Sequence, residues 1–462
     1  MGNQGLRTRI KVTRGTRAVA RVVACAGLLA CGPAMAEDGP ARLQLEFESF
    51  LDVHWHEPAG GIGRDTLWWN KAAASLTTGI APGVSLDLAA YAVGTIPDGR
   101  EGGPRYPGQR SVDAPFADVL AAALRFDLGG AELLVGRSTV KMGTSRLFAP
   151  TDRFEPVDFN DPLHAFDAGR WQARLSAFLG PDTLSITLMP FDERDRQPGN
   201  GSRWLGPAGD ASLYSTGAIG LPAGFVMPGR IDVREDWRSA GPGDWNWLAA
   251  WKGVRRGYDF FGAVHWGAGA YPTVRALVAP GTGPAPIVTV FKERPDAVSL
   301  AAGATTVVGA WNLYAEGIWQ NTMGGRDEDF AKLSIGATWD AIGLADWLGV
   351  ERIAPTIEYA ADIVTDGAHL PGLRASSRQA RPYRNAVLGE VRLTVDHRLS
   401  FWTSGSIDVE AGDSAASVGA EYKPTDSLGF TAQVQSFDGP DGTQFGRWKR
   451  NDGFYVGTRY AL

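Results

Sequence analysis

The feature that most constrains the fold is an alternation of polar and apolar residues that recurs from about residue 42 to the end of the chain. Residues 170–177 show it clearly, because positions 170, 172, 174 and 176 are polar and the residues between them are apolar. The same alternation recurs at 183–188, 390–396 and 431–435. A period of two belongs to a β-strand with two unlike faces, and amphipathic helical stretches are almost absent. The pattern therefore predicts an all-β chain.

The connections between these segments alternate between short and long. Short turns are predicted at 81–83, 128–130, 180–182, 255–257, 308–310, 397–398 and 424–427. Long polar segments rich in Gly and Pro lie at 96–115, 140–168, 193–244, 270–296 and 365–385. Transmembrane barrels have short periplasmic turns and long external loops, whereas a soluble sandwich has no reason to sort its loops in this way. We therefore predict a transmembrane, antiparallel, up-and-down β-barrel in a bacterial outer membrane.

Threading strands through these turns gives about eighteen strands, with sixteen as the lower bound. The predicted spans are 42–54, 66–78, 84–95, 116–128, 131–140, 168–179, 183–192, 245–254, 259–268, 297–306, 311–321, 331–340, 352–364, 386–396, 399–409, 414–423, 428–437 and 450–462. Residues 341–350 break the short-turn rule and predict a small periplasmic helix. Hydrocarbon offers no hydrogen-bond partners to the backbone groups at a free sheet edge, so the sheet must close on itself. A closed barrel of this size has a lumen wide enough for water.

The first 36 residues resemble a secretory signal peptide. Six basic residues precede an apolar run from Val22 to Ala30, and the small residues around Met35 form a cleavage site after Ala36. Residues 37–462 would then form the barrel. An alternative is a lipoprotein signal, because residues 28–31 resemble a lipobox that would attach lipid at Cys31. Both cysteines lie in this segment, so the sequence predicts no disulfide, thiolate metal site or covalently attached haem in the mature chain.

The net charge of the mature chain and its last eight residues indicate which partners the protein has. Removing the leader leaves 39 basic residues (45 less its six) against 51 acidic ones, a net charge of −12, which disfavours a nucleic-acid partner. Residues 455–462 resemble the C-terminal signal read by the barrel assembly machinery, although they end on Leu462 rather than on phenylalanine. Tryptophans near strand ends predict aromatic girdles at the two membrane interfaces, in contact with outer-membrane lipid and lipopolysaccharide: Trp55, Trp68, Trp69, Trp245, Trp247, Trp266, Trp311, Trp319, Trp339 and Trp402.

Catalytic and cofactor motifs are missing from the sequence. It has no Gly-x-Ser-x-Gly elbow, no His-Glu-x-x-His motif, no phosphate-binding loop and no dinucleotide fingerprint. His54 and His56 share one face of a strand as metal ligands would, but a pair at a loop edge explains them as well. We therefore predict that the protein is not an enzyme and needs no cofactor or metal.

Two stretches carry a family resemblance. Gly136-Arg137 ends one strand, Pro150-Thr151-Asp152 and Asp161-Pro162 follow in a loop, and Gly169-Arg170 opens the next strand. A later stretch holds Pro295-Asp296, Gly303 and Glu316. In these elements the chain resembles the alginate-export family of proteobacterial outer-membrane porins.

The resemblance implies an 18-stranded pore whose charged lumen is constricted by a long loop folded inward. The constriction residues that it implies are Arg137, Lys141, Asp152, Arg153, Asp158 and Asp161. Strict alternation places Arg137 on the lipid face, so either a bulge at Gly136 turns it inward, which we favour, or it lies above the membrane. The alternative is a loop that caps the barrel with solvated charges.

Alternation alone also predicts which charged residues face the lumen. They are Asp87, Arg125, Arg170, Arg174, Lys252, Glu316, Lys332, Glu358, Glu390, Arg392, Asp396, Asp408 and Glu410. Cations cluster in the first half of the chain and carboxylates in the last, which would set a transverse field across the pore. Guanidinium groups bind carboxylates in bidentate fashion, so an arginine-lined side suits acidic solutes.

The leading functional prediction is a channel for small polar or anionic solutes, with an acidic exopolysaccharide as one candidate. A second hypothesis is the barrel sheath of an electron conduit, which would surround a multihaem cytochrome as a separate periplasmic partner protein. A third is an outer-membrane barrel enzyme, which would require an identifiable nucleophile or carboxylate pair.

Overall fold

The computed structural model describes residues 41–58, 65–96, 116–159, 161–193, 195, 202–205, 230–236, 242–279, 287–367 and 374–462. Eighteen strands in these residues form one antiparallel sheet. The strands are β1 (Arg42–His54), β2 (Thr66–Ala81), β3 (Val84–Ile96), β4 (Phe116–Asp127), β5 (Ala131–Ser138), β6 (Arg170–Leu179), β7 (Asp182–Met189), β8 (Asn246–Arg255), β9 (Tyr258–Ala268), β10 (Asp296–Val308), β11 (Trp311–Thr322), β12 (Asp329–Trp339), β13 (Arg352–Asp366), β14 (Asn385–Thr394), β15 (Leu399–Asp408), β16 (Asp413–Thr425), β17 (Leu428–Asp438) and β18 (Gly453–Ala461).

The sheet closes because its first and last strands pair. Each strand pairs with its neighbours in the chain, and β1 also pairs with β18 from Glu46 opposite Ala461 to His54 opposite Gly453. Closure leaves no free sheet edge, as a spanning sheet requires. The predicted all-β barrel with eighteen strands is therefore confirmed.

The connections sort onto two rims as predicted. One rim carries the short turns and the helix α1 (Ile342–Leu348), which lies within the predicted 341–350 segment. The other rim carries the long connections, which hold a two-stranded sheet (Val157–Asp158 with Phe166–Asp167) and a four-stranded sheet (Arg230–Asp236, Thr273–Ala279, Ile287–Glu293 and Arg374–Ala375). Short 3-10 turns lie at Pro162–His164, Arg203–Leu205, Pro242–Asp244, Met323–Gly325, Ser377–Ala380 and Gly446–Trp448. Parts of the long segments fall outside the described residues, as does the predicted signal peptide.

The outer face of the barrel is apolar. Leu175 on β6 pairs with Ile186 on β7, and both side chains are about half exposed. Ile335, Ile357 and Val418 continue the same exposed apolar surface around the sheet. A continuous exposed surface of this kind is unfavourable in water and matches the lipid-facing band of an outer-membrane barrel.

Most of the predicted girdle tryptophans lie on this outer face near strand ends. Trp247 pairs with Trp266 towards the long-loop rim, and the rings of Trp311 and Trp339 stack 5.7 Å apart at the short-turn rim. Trp69 is buried and Trp402 contacts Gln433, so these two rings face the lumen instead. The difference arises because a strand places neighbouring residues on opposite faces, and proximity to a strand end does not settle which face. None of the helices in the described residues is long and apolar enough to cross a bilayer.

Candidate functional site

The candidate site is the segment 139–169 between β5 and β6, called here the inward loop. Its first part packs against the inner faces of β7–β11 through a buried apolar cluster. The cluster comprises Val140, Met142, Phe154, Met189, Leu248, Ala250, Phe261, Ala263, Ala301 and Ile318. Because these strand residues line the inside of the barrel, the loop lies within the lumen rather than above it.

Glu316 on β11 anchors the inward loop. Its carboxylate accepts hydrogen bonds from the backbone N–H groups of Thr144, Ser145 (3.0 Å) and Thr151 (3.3 Å), and from the hydroxyls of both threonines. Only 5% of Glu316 is exposed. Charge-assisted hydrogen bonds of this kind are the strong ones in proteins, so Glu316 acts as a clamp on the loop.

A second carboxylate, Glu358 on β13, clamps the next residues of the loop. It accepts from the backbone N–H groups of Arg146 (2.7 Å), Leu147 (2.8 Å) and Phe148 (2.9 Å). The Tyr314 hydroxyl also donates to it at 2.7 Å. Two carboxylates on nearby strands thus hold five consecutive residues, 144–148, against the far wall.

Arg153, predicted to lie at the constriction, makes neutral contacts with the wall. Its guanidinium donates to Gln320 Oε1 and Ser299 Oγ, both at 2.6 Å, and lies 3.2 Å from His265 Nδ1. Its neighbour Asp152 folds the loop onto itself, because one oxygen accepts from the backbone N–H groups of Met142 (2.7 Å) and Gly143 (2.6 Å).

The other predicted residues of the loop have local partners. Lys141 forms an ion pair with Asp167, and Asp158 accepts a 2.9 Å hydrogen bond from the Tyr91 hydroxyl on β3. Asp161 caps the turn at Pro162–His164 by accepting from Leu163 N–H at 3.0 Å. Burial raises the pKa of Asp161 to about 7.

Arg137 lies at the long-loop rim, at the edge of the inward loop. In the strand register Arg137 lies opposite Trp171, whose ring is exposed on the outer face. The Arg137 side chain itself is buried. Its Nε donates to Gly169 O at 2.8 Å, and its other nitrogens lie 3.5 Å from Asp118 and Glu193. The favoured bulge at Gly136 is not found, because β5 pairs with both neighbours without a register shift. The shift lies one strand away, between β3 and β4.

Gly136 has another role, which gives a testable prediction. Its φ is +137°, and an added Cβ would lie 2.2 Å from the backbone oxygen of Ala122. Gly136→Ala is therefore expected to destabilise the barrel by about 2 kcal/mol or more, measured by urea unfolding in detergent. Gly130→Ala, in the turn before the same strand, is the control, because nothing lies within 4 Å of its added Cβ. Equal unfolding midpoints for the two variants would contradict the close approach of β4 and β5.

The predicted lumen arginines Arg170 and Arg174 differ in their surroundings. Arg170 is buried and donates to the backbone oxygens of Phe154 (3.0 Å) and Phe191 (3.3 Å), with Asp192 at 3.6 Å. It therefore fastens loops together. Arg174 lies four residues further along β6 and is half-buried. Among the described residues its side chain hydrogen-bonds only to Thr139 O, at 3.4 Å.

Lys252 on β8 and Arg146 in the inward loop complete a set of water-facing cations with Arg174. Lys252 donates to Lys141 O at 2.8 Å, and both Lys252 and Arg146 are exposed. Within the described residues, no carboxylate forms an ion pair with any of these three side chains. They are the cations that a solute beside the loop would meet.

The remaining predicted pore-lining charges form pairs nearer the short-turn rim. Arg125 donates to Asp87 at 2.5 Å and to Glu132 at 3.3 Å. Glu390 pairs with Arg392 at 3.4 Å. Such pairs add little net charge to the lumen.

Four further inward candidates are also accounted for. Lys332 is buried against Pro382 O and lies 3.6 Å from Asp362. Asp408 accepts from Arg384 N–H at 2.6 Å. Asp396 and Glu410 lie in turns at the two rims, where Asp396 accepts from Arg398 N–H and Glu410 pairs with Arg378.

Open space remains between the inward loop and the wall formed by β14–β17. A cavity of about 280 Å³ lies there, with Leu147 and Leu163 of the loop on one side. The wall side is lined by polar side chains such as Ser404, Ser406 and Gln433 together with apolar ones such as Leu388 and Phe437. The loop therefore narrows the lumen from one side and leaves a wall of mixed polar and apolar side chains on the other.

Around the inward loop, three carboxylates are covered by protein, whereas the side chains of Arg146 and Lys252 are exposed and that of Arg174 is half-buried. Glu316 and Glu358 are hidden beneath backbone N–H groups, and Glu155 is buried against Val140 N–H. Burial, reinforced by Asp167, raises the pKa of Glu155 to about 7, so part of its charge is lost at neutral pH. Glu155 and the wall partners Ser299 and Gln320 were not predicted from the sequence. Ser299 and Gln320 carry only the signal of a polar residue on the inward face of a strand, and Glu155, in the loop, carries no periodic signal.

Several solved structures share this fold. Acinetobacter baumannii OccAB3 aligns with a TM-score of 0.52 at 11% identity, over 91% of this chain and 99% of that chain. Pseudomonas aeruginosa OccK2 (OpdF), solved in complex with glucuronate, aligns with a TM-score of 0.52 at 12% identity, over 92% and 98%. Pseudomonas aeruginosa OccK5 (OpdH) aligns with a TM-score of 0.50 at 10% identity, over 91% and 98%. At this identity the likeness is one of fold.

The sequence comparisons are negative: no model of a known protein family and no curated protein matches the chain. The fold is a closed, antiparallel 18-stranded barrel of the outer-membrane porin type. The resemblance to the alginate-export family is not confirmed, and the signal peptide stays a prediction.

Proposed function

We propose that the protein is an outer-membrane channel for small anionic solutes, above all carboxylated ones. The observation that carries this proposal is the set of water-facing cations around the inward loop, Arg146, Arg174 and Lys252, which lack carboxylate partners among the described residues. Cations that face water in a narrowed lumen favour the entry of anions. The predicted constriction roles of Arg137, Lys141, Asp152, Arg153, Asp158 and Asp161 become, in this proposal, those of residues that hold the loop in place.

The chemistry of these cations favours carboxylates over other anions. A guanidinium offers two parallel N–H donors that match the two oxygens of a carboxylate, while an ammonium acts as a point charge. Glucuronate, named for the OccK2 structure, is a carboxylated sugar of the class that such a site would accept. Export of an acidic exopolysaccharide is a narrower form of the same proposal and would require cations along the whole pore.

The two other hypotheses have less support. A barrel that sheathes a cytochrome needs an empty lumen, whereas this lumen holds its own loop, clamped to β11 and β13. An enzymatic function has no comparable observation in its favour among the described residues.

Ion selectivity tests the channel proposal directly. The refolded protein is expected to conduct in planar bilayers and to prefer chloride over potassium, as judged from the reversal potential under a KCl gradient. Arg174→Gln with Lys252→Gln is expected to lower the permeability ratio by about threefold or more, because two water-facing charges are lost. Arg398→Gln removes one positive charge from a short turn, outside the inward loop, and is expected to leave the ratio unchanged. A protein that does not conduct, or a ratio that the double variant does not alter, would contradict the proposal.

A further inference from the structure

A second cluster of ionisable side chains lies where the inward loop meets β1. It comprises Asp52 on β1 with Asp161 and His164 of the loop, and one ligand atom from each lies within 4.8 Å of the others. His164 Nε2 is 3.3 Å from Asp52 Oδ1 and 4.0 Å from Asp161 Oδ2. The functional site described above does not use these side chains as a group.

Both carboxylates are buried and incompletely satisfied. The side chains of Asp52 and Asp161 are each 2% exposed, and that of His164 is 5% exposed. The Oδ2 atoms of Asp52 and Asp161 are buried without a hydrogen-bond partner. A buried carboxylate oxygen without a partner is costly, so an additional ligand at this position would be strongly stabilised.

The imidazole of His164 is held in one orientation by aromatic rings. It stacks on Phe50 at 4.1 Å and on Trp69 at 4.9 Å, and Tyr455 meets it edge-on at 5.0 Å. This packing directs Nε2 at the carboxylates. A ring whose orientation is fixed before an ion arrives loses little conformational entropy when it binds the ion.

The charges of the cluster also favour a bound cation. Within the part of the chain that the structure describes, the only ion-pair partner of either carboxylate is His164. Metal ligands of this kind are ionised carboxylates and a neutral imidazole, so the charge of a divalent cation is the one that two carboxylates balance.

We propose that Asp52, Asp161 and His164 bind one divalent transition-metal ion, with water completing its coordination. Ligand atoms around a tetrahedral Zn²⁺ lie about 3.4 Å apart, so the 3.3 Å separation matches and the 4.0 Å separation requires a small inward movement. The imidazole ligand favours an ion such as Zn²⁺ over Ca²⁺ or Mg²⁺, which prefer all-oxygen sites. The ion would tie the inward loop to β1, on the side of the barrel away from Glu316 and Glu358.

Metal content of the folded protein tests this proposal. The full chain is refolded, incubated with Zn²⁺, desalted and analysed by mass spectrometry for metal. About one Zn²⁺ per chain is expected for the wild type, and at least about a tenfold weaker Zn²⁺ affinity for Asp52→Asn and Asp161→Asn. His56→Gln is the control, because it removes an exposed imidazole outside the cluster.

A second measurement uses only the wild type, so a folding defect in the variants cannot affect it. Co²⁺ is added to the metal-free wild type, and its visible absorption is recorded together with quenching of tryptophan fluorescence, since Trp69 lies against His164. Saturation at one Co²⁺ per chain, reversed by Zn²⁺, supports the site. No Zn²⁺ above background together with no Co²⁺ spectrum would overturn the proposal and identify His164 as an imidazolium in an ion pair. Neither readout depends on whether the protein conducts ions.

Discussion

The double variant Glu316→Ala/Glu358→Ala is expected to raise the single-channel conductance by about twofold or more and to make the current noisy. Together the two carboxylates accept hydrogen bonds from six backbone N–H groups of the inward loop. Loss of a charged acceptor costs about 1.5–3 kcal/mol per hydrogen bond. The loop would therefore leave the far wall and widen the pore. Planar-bilayer recordings of the refolded variant measure the change.

Glu390→Ala is the matched control for this double variant. Glu390 is also a carboxylate on the inward side of a strand, but its partner is Arg392 and not the loop. Its replacement is expected to change selectivity slightly and conductance hardly at all. If the double variant conducts like the wild type, the buried apolar cluster around Phe154 and Phe261 alone would be sufficient to hold the loop.

Removal of residues 453–462 is expected to abolish the folded barrel. The strand β18 pairs with β17 on one side and with β1 on the other, so its loss creates two unpaired edges within the membrane. Each unsatisfied backbone group there costs several kcal/mol. The folded form should be recognisable by its faster migration in electrophoresis without heating, and the truncated chain is expected to lack that band. A folded band from the truncated chain would show that the sheet closes without β18.

A milder variant separates strand pairing from recognition by the assembly machinery. Tyr460→Ala with Leu462→Ala keeps the backbone of β18 and removes two side chains that are exposed at the chain end. We propose that these side chains are read by the machinery, as the C-terminal pattern predicts. The variant should then refold in detergent as well as the wild type, yet reach the outer membrane of cells at a clearly lower level.

The strands were predictable because the membrane imposes the same two-residue period on every one of them. The predicted spans 42–54 and 399–409 differ from the observed strands Arg42–His54 and Leu399–Asp408 by at most one residue. The spans 168–179 and 450–462 start two and three residues early, because Gly169 and Asn451 continue the loops before β6 and β18. The inward position of the loop was predictable only from the family resemblance.

The roles of individual charges were less predictable. Alternation placed Glu316, Glu358 and Arg170 on the inner face, but it could not show that all three are covered by loop backbone. Their partners lie far away in the chain, such as Thr144, which is 172 residues from Glu316. No local pattern encodes a contact of that range. Arg174 and Lys252 meet only backbone oxygens of the first loop residues, Thr139 O and Lys141 O, among the described residues, and no local pattern encodes those contacts either.

The long range of the clamp contacts has a consequence for how the barrel matures. The inward loop precedes both of its carboxylate anchors in the chain, by 165 to 212 residues. Those anchors exist only once β11 and β13 have joined the sheet, and contacts that close such large loops form late. Docking of the loop is therefore expected to be among the last steps of folding. A newly inserted barrel would therefore pass through a brief stage in which its pore is wide because the inward loop does not yet constrict it.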